Sequence, residues 1–460
     1  MTRKTSIPAN MLRYSPMWNL FSKYVFFVHR LFYRTIAIEG LENIPSGEPV
    51  IFAPNHQNAL MDPMLVIATC KQQVVFLARA DIFKNPLLRR FFHGLKILPV
   101  YRIRDGKENL GKNDESFEQI IEVLEHRLPV GIFPEAQHSN KRHLLTLRKA
   151  VPRIAFMAEE RNNFGLGVKV VPVGIYYSKY NTFRTIAHVR YGIPVSISKY
   201  ADLYRENDQK AFLALRDEMA GQLDRLAINI RNLQMYDIYE SVRALYVKQL
   251  IKRFQLGKLT QINRFRADKI TIAALDAYSE NDPQGMDKLC KQVEEYESLK
   301  KQYSLSDQSI EKPRLNLFRL IASSLLLLLA LPVFAFGLLN NALVYFIPKL
   351  LVLKIKDMQF HSSVKFGWAV FVAPLLYVLQ SLVFALIFDT WLWALVYLLS
   401  LPLSGLLAQA YYEWLALIIR DFRKLRLRNT RPAEFRKMIK LHHSIVLQLN
   451  RITAKMPNTQ

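Results

Sequence analysis

Cysteine is scarce: the 460 residues contain two, Cys70 and Cys290. Two thiols cannot build a disulfide framework, neither stands in a metal-ligand spacing, and a reducing cytoplasmic setting fits. Acidic residues are also short, 38 against 63 lysines and arginines, which leaves a net charge of +25. Such an excess points to nucleic acid, an anionic membrane face or a phosphorylated substrate. No nucleic-acid-binding motif occurs among the basic residues, and an apolar content of 51% favours the membrane. The first residues, "MTRKTSIPANMLRYSPMWNLF", have no continuous apolar core and no small-residue cleavage site, so no signal peptide is expected. There is no internal repeat and no low-complexity tract. What remains is a globular composition with a surplus of apolar sequence, long enough for about three domains.

Residues 1–200 alternate two kinds of run. Those at 35–40, 49–53, 73–78, 96–101, 130–134, 168–176 and 187–192 are short and rich in Val, Ile and aromatics, and read as strands. Between them, 114–127 places Phe117, Ile120, Ile121 and Leu124 on one helical face, and 147–160 is a second helix. The alternation predicts an α/β domain, a mixed sheet flanked by helices, with strands buried on both faces. Residues 201–312 change character: glycine is nearly absent between Gly221 and Gly257, and charge rises. Leu289, Val293, Tyr296, Leu299 and Tyr303 recur at steps of three and four, as on a helical bundle face.

Residues 313–412 form the membrane part. No charge interrupts 320–348, 366–388 or 390–412. About 20 apolar residues cross a bilayer core, so 366–388 and 390–412 are single spans with Asp389 at the turn. The first run is too long for one straight span, and its centre, "FGLLNN" at 336–341, is turn-like. Lys349, Lys354, Lys356 and Lys365 follow it, and "RDFRKLRLR" at 420–428 follows the last span. A hairpin over 317–353 keeps every basic segment on one side, as the positive-inside rule prefers. The tail 413–460 is then a basic cytoplasmic helical segment. The stretch 17–34 mixes aromatics with Arg and Lys, and suits either the bilayer interface or packing on the α/β domain. The stretch 84–96 sets Lys84, Arg89, Arg90 and Lys96 among Leu87, Leu88, Phe91 and Phe92, as a solvated basic face or as a helix on an anionic leaflet.

The chemistry concentrates in "PNHQNALMDP", 54–63. His56 lies in a polar loop between an apolar strand and an apolar helix. Asp62 before Pro63 is a good helix N-cap. Beyond capping, a carboxylate there can hold one imidazole nitrogen, fix the tautomer and make the other nitrogen a better proton acceptor, the arrangement needed to deprotonate an alcohol. Further loops at strand ends are sited where α/β domains place binding groups. "GLKILPVYR" ends with Arg102, "IFPEAQHS" carries Glu135, and "VVPVGIYY" centres on Pro172. His138 and His143 stand His-x4-His in a loop rather than on a helix face, so no metal site is assigned to them.

In this order the stretches resemble the four blocks of the glycerophosphate acyltransferase family, which includes the lysophosphatidate acyltransferases. That family shows Asn-His, four residues, then Asp; an apolar strand ending in Arg; Phe-Pro-Glu-Gly-Thr-Arg-Ser; and an apolar run around Val-Pro-Val. Here the matching residues are Asn55-His56 to Asp62, Val100-Tyr101-Arg102, Phe133-Pro134-Glu135 to Ser139, and Val171-Pro172-Val173. "LRKAVPRIA" at 147–155 is similar to the basic helix that follows the third block. The likeness covers about 35–195. Two departures stand out. Five residues separate His56 from Asp62, and Ala136, Gln137 and His138 replace Gly, Thr and Arg. The longer first block, and a hydrophobic hairpin region behind the domain, are similar to fungal glycerol-3-phosphate/dihydroxyacetone-phosphate acyltransferases.

The resemblance implies an integral membrane O-acyltransferase of phospholipid synthesis, active on the cytoplasmic face. It would move an acyl group from acyl-CoA or acyl carrier protein to lysophosphatidate or glycerol-3-phosphate, with no cofactor, no metal and no nucleic-acid partner. His56 would be the general base and Asp62 its orienting partner. Arg102 would grip the acceptor phosphate, with Arg148 and Lys149 in support where the third-block Arg is lost. Glu135 would bind glycerol hydroxyls or brace its own block, Pro172 would line the site, and Asn55 and Asn58 would stiffen the turn. Two alternatives stay open: acylation of a non-phosphate lipid such as an amino-acid lipid, and an inactive membrane scaffold.

Overall fold

The computed structural model describes residues 7–100, 110–311 and 316–454. Two compact units emerge: residues up to Asn229 together with Leu351–Val370, and Ile230–Leu350 together with Phe371 onward.

The strand-like runs of the first unit form one sheet. Its strands are β1 (Tyr33–Glu39), β2 (Val50–Pro54), β3 (Val75–Arg79), β4 (Ile97–Val100), β5 (Val130–Gly131), β6 (Lys169–Tyr177), β7 (Thr185–Tyr191) and β8 (Val195–Ser196). The order is β1-β7-β6-β2-β5-β3-β4, with β8 beside β6. Strands β6, β2, β5, β3 and β4 run parallel, and β7 and β8 pair antiparallel with β6, so the sheet is mixed. The two-residue period of a strand sorts its side chains between two cores. Ile51 and Ala53 of β2 join Ile120, Leu124, Ile154 and Phe156 from the helices Leu110–Glu125 and Ala150–Arg161. Val50 and Phe52 point the other way, toward Val25 and Phe32 of the helix Pro16–Phe32 and Leu65 of the helix Met61–Thr69. Both sheet faces are therefore covered, as the continuously apolar strands require.

Pro16–Phe32 buries Trp18, Val25, Val28, His29 and Phe32, so the N-terminal stretch packs on the sheet, while Leu20 and Phe27 stay exposed. The 84–96 stretch yields the helix Pro86–Gly94 with Arg89 and Arg90 exposed. Lys96 does not share that face. It is fully buried, its Nζ donates to the carbonyls of Met11 and Arg13, and burial lowers its ammonium to about 8.

The second unit is helical. Tyr236–Arg253, Gln261–Asn281, Pro283–Gln302 and Pro432–Thr453 form its polar part. Within it Arg243 Nη1 pairs with the buried Asp268 Oδ2 at 2.5 Å. Among the described residues, Leu317–Asn340, Gln359–Phe388 and Trp391–Thr430 are the three helices long and apolar enough to cross a membrane. The first apolar run breaks at Asn341, and Ala342–Leu353 follows. At that break Asn341 Nδ2 donates to Leu401 O and Ser404 Oγ, both at 3.2 Å, and Tyr377 OH donates to Asn341 Oδ1 at 2.7 Å. A helix end packed among apolar helices, away from water, is satisfied by those helices in this way. A Cβ on Gly337 would stand 2.3 Å from Ser404 O, so only glycine permits that helix contact. The last helix passes residue 412 unbroken and continues through the basic run to Thr430.

Candidate active site

The turn that carries His56 leaves the carboxyl end of β2, the edge where open α/β sheets bind ligands. Asn55 anchors it: Asn55 Nδ2 donates to Ile175 O at 3.1 Å, and Asn55 Oδ1 accepts from Ile175 N at 2.6 Å. The next residue projects its imidazole toward the helix Met61–Thr69. His56 Nδ1 donates to Asp62 Oδ2 at 2.8 Å, across one turn of chain.

Asp62 is not the cap of that helix. Leu60 holds the cap position, with no side-chain hydrogen bond, and Asp62 lies within the first turn. Its carboxylate is fully buried and carries four contacts. Oδ2 accepts from His56 Nδ1 and from the main-chain N–H of Gln57 and Asn58, each at 2.8 Å, and Oδ1 accepts from Tyr177 OH at 2.7 Å. The helix N-terminus adds a favourable field. A buried carboxylate so supplied with donors is held in one orientation. It fixes Nδ1 as the protonated nitrogen and leaves the lone pair on Nε2. The His56 side chain retains 16% of its exposure, and Phe133 stacks on its ring at 4.0 Å.

Glu135 follows β5 and is 2% exposed. Its Oε1 accepts from His56 N and its Oε2 from Leu145 N, both at 3.1 Å. The geometry is that of a brace between the first block and the loop after the third. Burial pushes its carboxyl up to about 7 against the pull of those two N–H groups, and the charge of Asp62 adds to the rise. Ala136 sits in the left-handed region at φ +57°, where the missing glycine would be unstrained. His138 lies edge-on to His56, ring centres 5.3 Å apart.

His56, Asp62 and Glu135 are thus brought together. Arg102 lies outside the described residues. Arg148 joins through its main chain, whose N–H donates to Pro134 O at 2.7 Å, while its side chain is exposed. Lys149 Nζ donates to Gln209 Oε1 at 2.8 Å. Pro172 is buried within β6, opposite Ala53 of β2. It falls between the stretch of β6 that pairs with β8 and the stretch that pairs with β7, a gap in the antiparallel ladder that tolerates the missing N–H. Two contributors were not read from the sequence. Tyr177, at the end of β6, holds the outer oxygen of Asp62. The buried Arg142 donates from Nη2 to Tyr177 O at 2.7 Å and Ser178 O at 3.0 Å, and its guanidinium lies 5.2 Å from the rings of Tyr176 and Tyr180. The only sequence signal was the polar tail of an apolar strand, "GIYY". Among the described residues no group of three His, Cys, Asp or Glu side chains is placed to hold a metal ion.

Residues 35–176 match the Acyltransferase family. Glycerol-3-phosphate O-acyltransferase 1 of Saccharomyces cerevisiae is 27% identical over 234 residues, 48% of this chain and 30% of that protein. Glycerol-3-phosphate O-acyltransferase 2 of the same yeast is 29% identical over 154 residues, 33% of this chain and 20% of that one. The chain therefore spans less than a third of the length of these curated relatives. Among solved structures, the 1-acyl-sn-glycerophosphate (LPA) acyltransferase of Thermotoga maritima is 22% identical with a TM-score of 0.34, over 45% of this chain and 77% of that one. The matched segment contains the whole His56–Asp62–Glu135 constellation, and residues 35–176 belong to the acyltransferase family.

Proposed function

We propose that this protein is a membrane-bound O-acyltransferase that esterifies a hydroxyl of a glycerophosphate, glycerol-3-phosphate or lysophosphatidate, at the expense of an acyl thioester of coenzyme A or acyl carrier protein. The observation that carries the reading is the imidazole of His56, oriented through Nδ1 by a buried carboxylate and open at Nε2. The acceptor hydroxyl gives its proton to Nε2 while its oxygen bonds to the thioester carbonyl carbon. As the tetrahedral intermediate collapses, the C–S bond breaks and the proton passes from the imidazolium to the departing sulfur. An ester and a free thiol result. The thioester is already activated, so no covalent enzyme intermediate is needed.

Arg102 is assigned to the acceptor phosphate as a bidentate partner, with Arg148 and Lys149 as outer cations. Glu135 holds the two active-site loops in register. Pro172 serves the sheet beneath the turn. The net charge of +25 suits anionic substrates and an anionic leaflet, and the lysine segment behind the first apolar run supports a cytoplasmic catalytic unit. The membrane region is read as a hairpin over 317–353 followed by two spans.

The test is acyl transfer by membranes carrying the full chain, against glycerol-3-phosphate, lysophosphatidate and a non-phosphate lyso-lipid, each with both thioester donors. The expected result is ester formation on the phosphorylated acceptors, and a loss of about two to four decades in His56→Ala, the scale of a general base. Parental activity in His56→Ala, or transfer to the non-phosphate acceptor alone, would reject the assignment.

A further inference from the structure

The catalytic turn is not held by its own domain sequence alone. The helix Gln359–Gly367, on the chain that leads into an apolar helix, belongs to the same compact unit as residues 1–229. It reaches the turn at several points. Leu60 N donates to Ser363 Oγ at 3.1 Å. Ser362 Oγ donates to Tyr180 O, and Tyr180 OH donates to Gln57 Oε1 at 2.8 Å. Gln359 Nε2 donates to His138 O at 3.3 Å. The Phe360 ring meets the His138 ring edge-on at 5.2 Å, and His138 meets His56 at 5.3 Å. Beneath these, Phe366 is buried against His29 and Phe32, which fixes the segment to the domain core.

The clamp supplies what the turn lacks. The first N–H groups of a helix have no partner within it, and Leu60 at the cap position of Met61–Thr69 has no polar side chain to offer. Ala59 just before it is in the left-handed region at φ +40°, costly for a residue with a Cβ. An unaided turn of this shape would relax. Asp62 stands two residues after Leu60, so relaxation there moves the carboxylate against His56.

We infer that Ser363 and Ser362 are positioning residues of the active site, acting on the His56–Asp62 pair through the turn, so that chain from within the membrane region completes the acyltransferase site. The inference rests on the proposed role of His56, and its test carries one readout that needs no turnover. Full-length Ser363→Ala, Ser363→Thr and Phe360→Ala are compared with the parent in detergent, with thermal unfolding recorded for each. Losing one buried hydrogen bond should lower kcat about fivefold in Ser363→Ala, with the thioester KM within about twofold. Threonine, which keeps the acceptor oxygen, should restore most of the rate. Phe360→Ala, which removes a half-exposed ring, should lower kcat with little change in melting. In parallel, carbethoxylation of His56 by diethyl pyrocarbonate is followed by mass spectrometry, with the exposed His126 as internal reference. Ser363→Ala should change the His56 rate several-fold and leave His126 unchanged. A parent that transfers no acyl group, with a shifted His56 reactivity in Ser363→Ala, would sink the functional reading and keep the clamp. Unchanged kcat and unchanged His56 reactivity in both Ser363→Ala and Phe360→Ala would overturn the clamp.

Discussion

Replacing Asp62 by asparagine separates the shape of this site from its charge. Among the described residues, Oδ2 receives three donors, His56 Nδ1, Gln57 N and Asn58 N, while Oδ1 receives Tyr177 OH. An asparagine with its oxygen in the Oδ2 place accepts the same three. Its NH2 then faces Tyr177, whose hydroxyl oxygen can accept. The three donors to Oδ2 stay satisfied, the Tyr177 O–H loses its carboxylate acceptor, and the turn should keep its form. What leaves is the negative charge opposite the imidazolium that forms as the hydroxyl is deprotonated. At about 4 Å and an effective dielectric constant of about 20, that attraction is worth about 4 kcal/mol, or roughly three decades in rate. Stability should change far less. Weaker hydrogen bonds cost about 1–2 kcal/mol, and relief from burying a carboxylate offsets part of it. Asp62→Ala is the contrast. It strands two main-chain N–H groups and the imidazole N–H, at about 1–3 kcal/mol each, and should fail to accumulate. The assay is the initial rate of ester formation per mole of protein in membranes, with thermal unfolding of the solubilised protein beside it. An asparagine variant within about threefold of the parental rate would refute the use of the charge. One that melts as low as the alanine variant would refute the hydrogen-bond count.

Two further outcomes are expected. Ala136→Gly should raise the melting temperature by about 2–4 °C, since the left-handed conformation at φ +57° costs a residue with a Cβ about 1–2 kcal/mol and glycine's own entropy returns part of it; an unchanged or lower melting point would show that the loop is not strained there. Single cysteines at Asp357 and Asp389, both exposed, with Cys290 replaced and Cys70 left buried, should differ toward a membrane-impermeant thiol reagent in intact cells. Position 389 should label at once and position 357 only after the membrane is opened, and labelling of 357 from outside would mean that the first apolar run crosses once. Ser363 is unsuited to such labelling, because it is buried and bonded to Leu60.

The sheet was legible because its signal is local. Strands buried on both faces need unbroken Val, Ile and aromatic runs, and seven such runs fall on β1 to β7 within a few residues. The two-residue β8 has no pattern to read. The length of the last helix was not legible for a different reason: charge terminates a span but not a helix, and Lys, Arg and Leu are good helix formers, so the helix continues through 420–428 to Thr430. Lys96 shows the same limit of composition, since a lysine in a basic run can still be buried when main-chain carbonyls receive it.

The site divides along the same line. His56 and Asp62 could be paired from sequence because six positions of chain suffice to bring them into contact. Asp62 was misread as a cap because the local rule sees an acid before a proline, whereas the carboxylate turns back to the two N–H groups behind it. Glu135 could be placed at a strand end, but its use of both oxygens as a brace depends on Leu145 and His56 arriving from different loops. Tyr177 lies 115 positions from Asp62 and Ser363 lies 303 from Leu60. Nothing periodic links such residues. A tyrosine ending a strand and a serine in a short polar helix are ordinary in isolation, and only the parallel register of β2 with β6 brings Tyr177 over the carboxylate. His56 and Asp62 are thus paired locally, while the groups that hold them come from the ends of distant elements. Substitutions at Tyr177 or Ser363 should therefore act on catalysis through geometry, without touching the reacting atoms.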